Sequence, residues 1–157
     1  MNARLEIVGA VRQARTFDFD GLAALPGQVA DVGSLVAGRT GGAVRLSEVL
    51  DAAGMQTAAS HLTVESADGR FAASVPLDAV RDAVLVYRLG DSVLPAANGG
   101  PVRLLIPDAA RCGRADVDMC ANVKHVSVLR VGTEPGRDTR PTTKAEHAAM
   151  HRHDEDA

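Results

Sequence analysis

The sequence predicts an α+β fold with a mixed, largely β sheet core and short helices. Stretches with strand-like apolar patterning outnumber three short helical stretches, and the helices do not alternate regularly with the strands. Aromatic residues make up only 3% of the chain, so the core must be built from valine, leucine and alanine. No GxGxxG or GxxxxGK[ST] motif is present, so neither a doubly wound dinucleotide fold nor a P-loop fold is indicated.

The length, the net charge and the apolar runs of the chain argue against several classes of function. At 157 residues we expect one domain that buries a real core. The net charge of -3 argues against a general nucleic-acid surface, which needs clustered basic residues. No apolar run approaches the length of a membrane span, and no signal-peptide pattern opens the chain. We therefore expect a cytoplasmic protein without a membrane segment.

The first third of the chain predicts two strands and one short helix. Residues 5–11 alternate between apolar and other side chains, which indicates a strand. Asp20 is predicted to cap a short helix that runs through Leu25 and ends at Pro26 and Gly27. Residues 28–36 are predicted to form the second strand.

The middle of the chain predicts a capped helix and a hairpin. After a glycine-containing loop, Ser47 is predicted to cap a helix over residues 48–53, with Gly54 directly after its end. Asp68 and Gly69 separate two alternating runs, residues 61–67 and 71–75, and Asp-Gly in this position is a strong hairpin signal.

The later elements are mostly strands. Pro76 is suited to begin a short helical turn over residues 77–81. Strands are predicted over residues 83–89, 101–106 and 123–131. We therefore place one domain at residues 1–132.

Residues 133–157 are predicted to form a polar tail, because they combine two prolines with many charges. A short helix is predicted near residues 144–151. His147, His151 and His153 lie in this tail, and two of them would share a helix face and could bind a transition metal. Solvated histidines are the competing and favoured interpretation, because no further fixed ligand is evident.

The segment Asn98-Gly99-Gly100-Pro101-Val102-Arg103 is the most informative stretch of the chain. Glycines allow the backbone to approach a ligand closely, and an arginine beside them offers a planar fork of donors that suits phosphate. A second cation, Lys124, opens the last predicted strand. The two cations predict an anion pocket, while a β-turn with a surface ion pair is the simpler alternative.

The order of motifs resembles the molybdopterin-binding domain of oxidoreductases of the sulfite-oxidase type. The motifs are DGLAALPG before a strand, the LSEVLDAAG helix, the VESADG hairpin followed by SVPL, the segment NGGPVRLLIP, and the closing VKHV strand. The resemblance covers residues 5–131. Its specific parts are the Ala-Asp-Gly hairpin and the Asn-Gly-Gly-Pro-Val-Arg segment.

The resemblance implies a molybdenum atom carried by a pterin dithiolene, held by polar residues at the strand starts. It places Asn98, Gly99 and Arg103 among the cofactor-binding residues, together with Lys124 before the last strand. In the family an aromatic residue follows this lysine, and here His125 takes its place.

The chain departs from the family at the metal ligand. The family carries a cysteine thiolate within or soon after the strand that precedes the capped helix, but residues 29–36 contain no cysteine. Asp31 or Ser34 would be a hard substitute for this soft ligand. The arginine-rich substrate pocket of the family is also reduced, with Arg39 and Arg45 as the remaining candidates.

Two cysteines, Cys112 and Cys120, occur elsewhere, and their spacing fits no standard zinc pattern. Cys120 precedes Lys124 closely and is the candidate replacement for the thiolate as a metal ligand. Two core thiols, or a redox pair, are the alternatives.

Two functions follow from this sequence. The first is a molybdopterin-dependent oxidoreductase that acts on a small oxyanion or oxide and exchanges electrons with a redox partner protein. The second is a non-catalytic module on the same fold that binds another small anion or a protein partner.

Overall fold

The computed structural model describes residues 4–107 and 123–139, and it contains two five-stranded sheets. The strands are β1 (Arg4–Gly9), β2 (Arg15–Asp18), β3 (Gln28–Val29), β4 (Gly42–Arg45), β5 (His61–Ser66), β6 (Ala72–Pro76), β7 (Val84–Leu89), β8 (Ser92–Val93), β9 (Arg103–Leu105) and β10 (Val126–Gly132). The helices are α1 (Phe19–Ala23) and α2 (Leu46–Ala53), with 3₁₀ turns at Val32–Ser34, Leu77–Val80 and Ala96–Asn98.

The first sheet has the strand order β2-β1-β10-β5-β6. Its β1–β10 pair is parallel, and its other pairs are antiparallel. The second sheet has the order β3-β4-β7-β8, with β9 also paired to β7, and all of its pairs are antiparallel. The mixed, largely β core with short helices confirms the predicted α+β class.

The main core joins both sheets to α2 and consists largely of aliphatic side chains. Side chains alternate across a strand, so β7 directs Leu85 and Tyr87 into this core and Val84 and Val86 to the opposite face of its sheet. That opposite face carries a second, smaller apolar cluster, composed of Val32, Ala43, Val84, Val86, Leu94 and Leu105.

The predicted hairpin is confirmed, because β5 and β6 pair directly around Asp68 and Gly69. One carboxylate oxygen of Asp68 accepts hydrogen bonds from the Ser66 hydroxyl at 2.6 Å and from the Arg70 N–H at 2.9 Å. These two bonds lower the pKa of Asp68 below its ordinary value, with smaller contributions from the charges of Arg70 and His125.

The predicted strand over residues 28–36 was wrong beyond Val29. Only two residues pair with β4, and the chain then turns at Val32–Ser34. The carboxylate of Asp31 accepts the Gly33 N–H at 3.0 Å, and the Ser34 hydroxyl donates to the Asp31 carbonyl at 2.8 Å. These local bonds compete with strand pairing and explain why the ladder ends.

Both predicted helix caps were displaced by one or more residues. Asp18, not Asp20, caps α1 by accepting the Gly21 N–H at 2.7 Å. α2 begins at Leu46, so Ser47 lies inside the helix and Arg45 makes no side-chain capping bond. The burial of Leu46 and its N–H bond to Ala83 set this start. The end of α2 at Gly54, with φ 74°, was predicted correctly.

Residues 136–139 lie along the outer edge of β6. The Gly136 N–H donates to the Ser74 hydroxyl at 2.9 Å, and the Asp138 carboxylate accepts the Ser74 N–H at 3.2 Å. Thr139 exchanges bonds with both backbone groups of Ala72. This segment covers an edge that would otherwise present unpaired backbone groups. Residues 140–157 of the predicted tail, including His147, His151 and His153, lie outside the described residues.

No helix within the described ranges is long and apolar enough to cross a membrane.

We predict that Leu129→Ala lowers the free energy of unfolding by about 2–5 kcal/mol, because it leaves a cavity in a fully buried position of β10. The measurement is urea denaturation followed by circular dichroism. Arg81→Ala is the matched control, since both members of its ion pair with Asp78 are exposed. Equal stability losses in the two variants would contradict the proposed core.

The second prediction concerns acid stability. Because the folded pKa of Asp68 is depressed, its charged form stabilises the protein at neutral pH, and this contribution is lost as the pH falls through the folded pKa. We expect Asp68→Asn to be less stable than the parent at pH 7 and to converge with it as the pH falls below the depressed folded pKa of Asp68. Urea midpoints measured from pH 7 to pH 2.5 test this, and a stability gap that stays constant with pH would refute it.

Candidate functional site

A cavity of about 180 Å³ lies on the outer face of the second sheet. Its apolar wall belongs to the smaller core cluster, and its polar wall comes from the loop before β4 and the segment before β9. The lining residues are Val32, Gly38, Arg39, Thr40, Val86, Asn98, Arg103 and Leu105. Arg103 reaches this face because β9 pairs with β7 so that Arg103 lies opposite Val86.

The segment before β9 brings its polar groups to the cavity through a tight turn. The 3₁₀ turn at Ala96–Asn98 ends at Gly99, whose φ is 94°. The next residue passes directly against the backbone of Leu94 and Pro95, and a Cβ on Gly100 would collide with the Leu94 carbonyl. The two glycines are therefore needed for the path of the chain beside the cavity.

Arg103 is the central cation of the cavity. Its Nη1 donates to the Asn98 carbonyl at 3.4 Å, while its Nε is buried and makes no hydrogen bond. Burial lowers the pKa of the Arg103 guanidinium, and the charge of Arg39 lowers it further. A bound anion would relieve both effects, since it would accept from the unpaired donor and balance the two positive charges.

Lys124 lies beside the same turn. A Cβ on Gly99 would be 3.2 Å from Arg103 Cδ and 3.2 Å from Lys124 Cγ, so Gly99 separates the aliphatic stems of the two cations. The ion pairs seen in residues 4–107 and 123–139 join other groups and involve neither these two cations nor Arg39. Among the described residues, the charge beside this turn is therefore positive and favours an anion.

The structure brings together four residues that the sequence singled out: Asn98, Gly99, Arg103 and Lys124. Their role as cofactor ligands remains a prediction. Cys120, the candidate metal ligand, lies outside the described residues, as does Cys112.

Of the polar residues that line the cavity from the loop before β4, only Arg39 was singled out from the sequence. Arg39 was one of two candidate arginines, and it lines the cavity, whereas Arg45 at the end of β4 does not. Thr40 was missed, and its only signal was its place in the glycine-containing loop that returns to β4. Asp31 and Ser34, the possible hard ligands, are engaged in local hydrogen bonds and do not line the cavity.

The side chains around the cavity supply hydrogen-bond donors and positive charge. Thr40 contributes a hydroxyl, Asn98 an amide, and the two arginines contribute guanidinium groups. In the part of the chain that the structure describes, no group of three histidine, cysteine or acidic side chains is arranged to hold a metal ion. The arrangement is suited to binding and orienting an oxyanion.

One solved structure with the same fold is that of the sulfane dehydrogenase SoxCD from Paracoccus pantotrophus. It aligns with a TM-score of 0.64 and 23% sequence identity. The alignment covers 85% of this chain and 39% of the other chain, so this chain spans well under half the length of that protein. No curated protein sequence matches this chain.

The comparison with sequence families confirms the resemblance that the motifs indicated. The profile of the oxidoreductase molybdopterin binding domain matches residues 2–136, which include both sheets and every residue of the cavity. The chain therefore belongs to the oxidoreductase molybdopterin binding domain family.

Proposed function

We propose that the chain binds a molybdenum-pterin cofactor through the cavity around Arg103. The observation that carries this proposal is the buried, unpaired Nε of Arg103 beside the second cation Arg39. A cavity of about 180 Å³ corresponds to roughly six water molecules. This volume and donor set fit a phosphate group, which is the anionic end of a pterin cofactor.

Each cation would act on the phosphate differently. The carbonyl of Asn98 holds Arg103 Nη1, which leaves the buried Nε as a directed donor. Lys124 would add a point charge from the far side of Gly99, and Arg39 would add a second guanidinium. When bound, the cofactor supplies the redox chemistry, while the protein supplies position and electrostatics.

The thiolate ligand is where the chain differs from its family. Asp31 and Ser34 use their side chains to stabilise the turn at Val32–Ser34, so neither is positioned as a replacement. Cys120 therefore remains our candidate for the metal ligand. With this ligand, we propose an oxidoreductase that acts on a small oxyanion or oxide in the cytoplasm and passes electrons to a redox partner protein.

The second candidate is a non-catalytic module that binds a different small anion. Two arginines, a hydroxyl and an amide are among the described residues that line the cavity. A free tetrahedral oxyanion would satisfy the same donors as a phosphate group does. The two candidates share the site and differ in the ligand it holds.

We predict that Arg103→Ala lowers the molybdenum and pterin content about tenfold or more, because hydrogen bonds to charged groups contribute about 1.5–3 kcal/mol. The protein is produced in a host that makes the cofactor, metal is measured by elemental mass spectrometry, and pterin is measured by fluorescence after oxidative release. The molybdenum and pterin content of Arg103→Lys should lie between that of the parent protein and that of Arg103→Ala, since lysine keeps the charge without the fork of donors.

Arg81→Ala is the control for that experiment, because its side chain is exposed and is not among the residues that line the cavity. Equal cofactor content in Arg103→Ala and Arg81→Ala, at equal stability, would rule out the assigned role of Arg103. Folded parent protein without metal and pterin would exclude the first candidate and leave the anion module.

The anion site itself can be tested with inorganic phosphate. We predict that Arg39→Ala weakens phosphate binding about tenfold, because one charged donor is lost from the cavity. Arg45→Ala is a matched control on the same segment of chain, since Arg45 does not line the cavity. Isothermal titration calorimetry on cofactor-free protein measures both, and a larger effect at Arg45 would contradict this assignment.

A further inference from the structure

His125 has an unusual backbone conformation beside the cavity. Its φ is 55°, and no other non-glycine residue of ranges 4–107 and 123–139 has a positive φ. This left-handed region is disfavoured for residues with a Cβ, although histidine enters it more readily than most. In this conformation the His125 N–H donates to the Gly99 carbonyl at 2.8 Å, and its carbonyl accepts the Ala67 N–H at 2.7 Å.

The imidazole ring makes a further bond to the same turn. His125 Nδ1 lies 2.7 Å from the Gly100 carbonyl oxygen. A carbonyl can only accept, so Nδ1 carries a proton and donates it. The two consecutive carbonyls of Gly99 and Gly100 are thus both held by His125, one through the backbone and one through the ring.

These bonds bear directly on the cations of the cavity. Gly99 lies between the stems of Arg103 and Lys124, with a Cβ position 3.2 Å from each. Lys124 is also the chain neighbour of His125. A shift of the glycine turn would therefore change the separation of the two cations and their approach to one anion.

The other side of His125 faces the β5–β6 hairpin. The Ala67 bond ties it to the end of β5, and its charge is among the causes that lower the pKa of Asp68. Asp68 is itself held by Ser66 and by the Arg70 N–H. The hairpin therefore forms a fixed support from which His125 reaches the glycine turn.

We infer that His125 is a positioning residue for the anion pocket, where its two N–H donors hold the Gly99–Gly100 turn so that Arg103 and Lys124 face one anion. This inference rests on the proposed function for the identity of the ligand, and on the hydrogen bonds alone for the position of the turn.

The test compares two substitutions in the full chain. In His125→Asn, the side-chain amide offers a donor at the place of Nδ1, and asparagine tolerates the left-handed conformation. In His125→Phe, the ring is kept and the donor is lost. Phosphate affinity is measured by calorimetry, folding stability by urea denaturation, and exposure of the turn by hydrogen exchange of the Gly99 and Gly100 amides.

We expect His125→Phe to weaken phosphate binding about three- to tenfold, as for the loss of one hydrogen bond, and to speed exchange in the turn. His125→Asn should stay within about twofold of the parent in affinity. Unchanged affinity and exchange in His125→Phe would overturn the inference. Loss of affinity in both variants, in proportion to their loss of stability, would also overturn it and leave a structural role only.

These measurements distinguish a failure of the proposed function from a failure of the proposed role of His125. If the parent protein binds neither phosphate nor the molybdenum cofactor, the proposed function fails. Faster exchange in His125→Phe, with slow exchange restored in His125→Asn, would still support the positioning role, because that measurement requires no ligand.

Discussion

A short run of backbone hydrogen bonds ahead of β10 joins the two sheets. The Val123 carbonyl accepts the Leu104 N–H at 2.9 Å, and the Val126 N–H donates to the Val102 carbonyl at 2.8 Å. β10 pairs with β5 from Val126 onward and with β1 from Val128 onward, and both of these strands belong to the other sheet. Because buried backbone groups must find partners, this crossing fixes the relative position of the two sheets and of the cavity on the outer face of the second sheet.

Residues at and beside the cavity are held in energetically unfavourable states, and the rest of the fold must offset their cost. Arg103 is partly desolvated beside Arg39, and His125 adopts a left-handed conformation to hold the glycine turn. Such local costs persist only where the surrounding structure overdetermines them, and they concentrate at functional sites. Here the aliphatic core across both sheets provides that support. The concentration of these features around one cavity is the physical argument for the proposed anion site.

The turn at Val32–Ser34 explains how the chain can retain the fold while departing from its family at the metal ligand. Asp31 and Ser34 satisfy backbone groups of their own turn, and Val32 is buried against the outer face of the second sheet. This corner is stable through local hydrogen bonds and apolar packing without a metal. The polar groups that line the cavity come from other segments, so the proposed anion site does not draw its donors from this turn.

Much of the fold could be predicted from the sequence, because the patterns that indicate these strands and turns are local. Alternation identified β1 and β5, and a continuous apolar run identified β7. The Asp-Gly pair identified the hairpin, and Gly54 identified the end of α2. The predicted ends of helices and strands were wrong where a tertiary contact or a side-chain hydrogen bond competed with the sequence pattern. The strand predicted over residues 28–36 ends at Val29, ahead of the local hydrogen bonds of Asp31. The last strand, predicted from residue 123, begins at Val126, directly after the left-handed His125.

The candidate site also has one part that the sequence predicted and another part that only the tertiary structure decided. Asn98, Gly99 and Arg103 are close in sequence, so their residue types and spacing were enough to predict an anion-binding segment. The convergence of Arg39 and Lys124 on that segment, and the buried unpaired Nε of Arg103, depend on the pairing of β9 with β7 and on the crossing before β10. Burial and long-range pairing are properties of the folded chain, and no local pattern encodes which distant loop will face a given arginine.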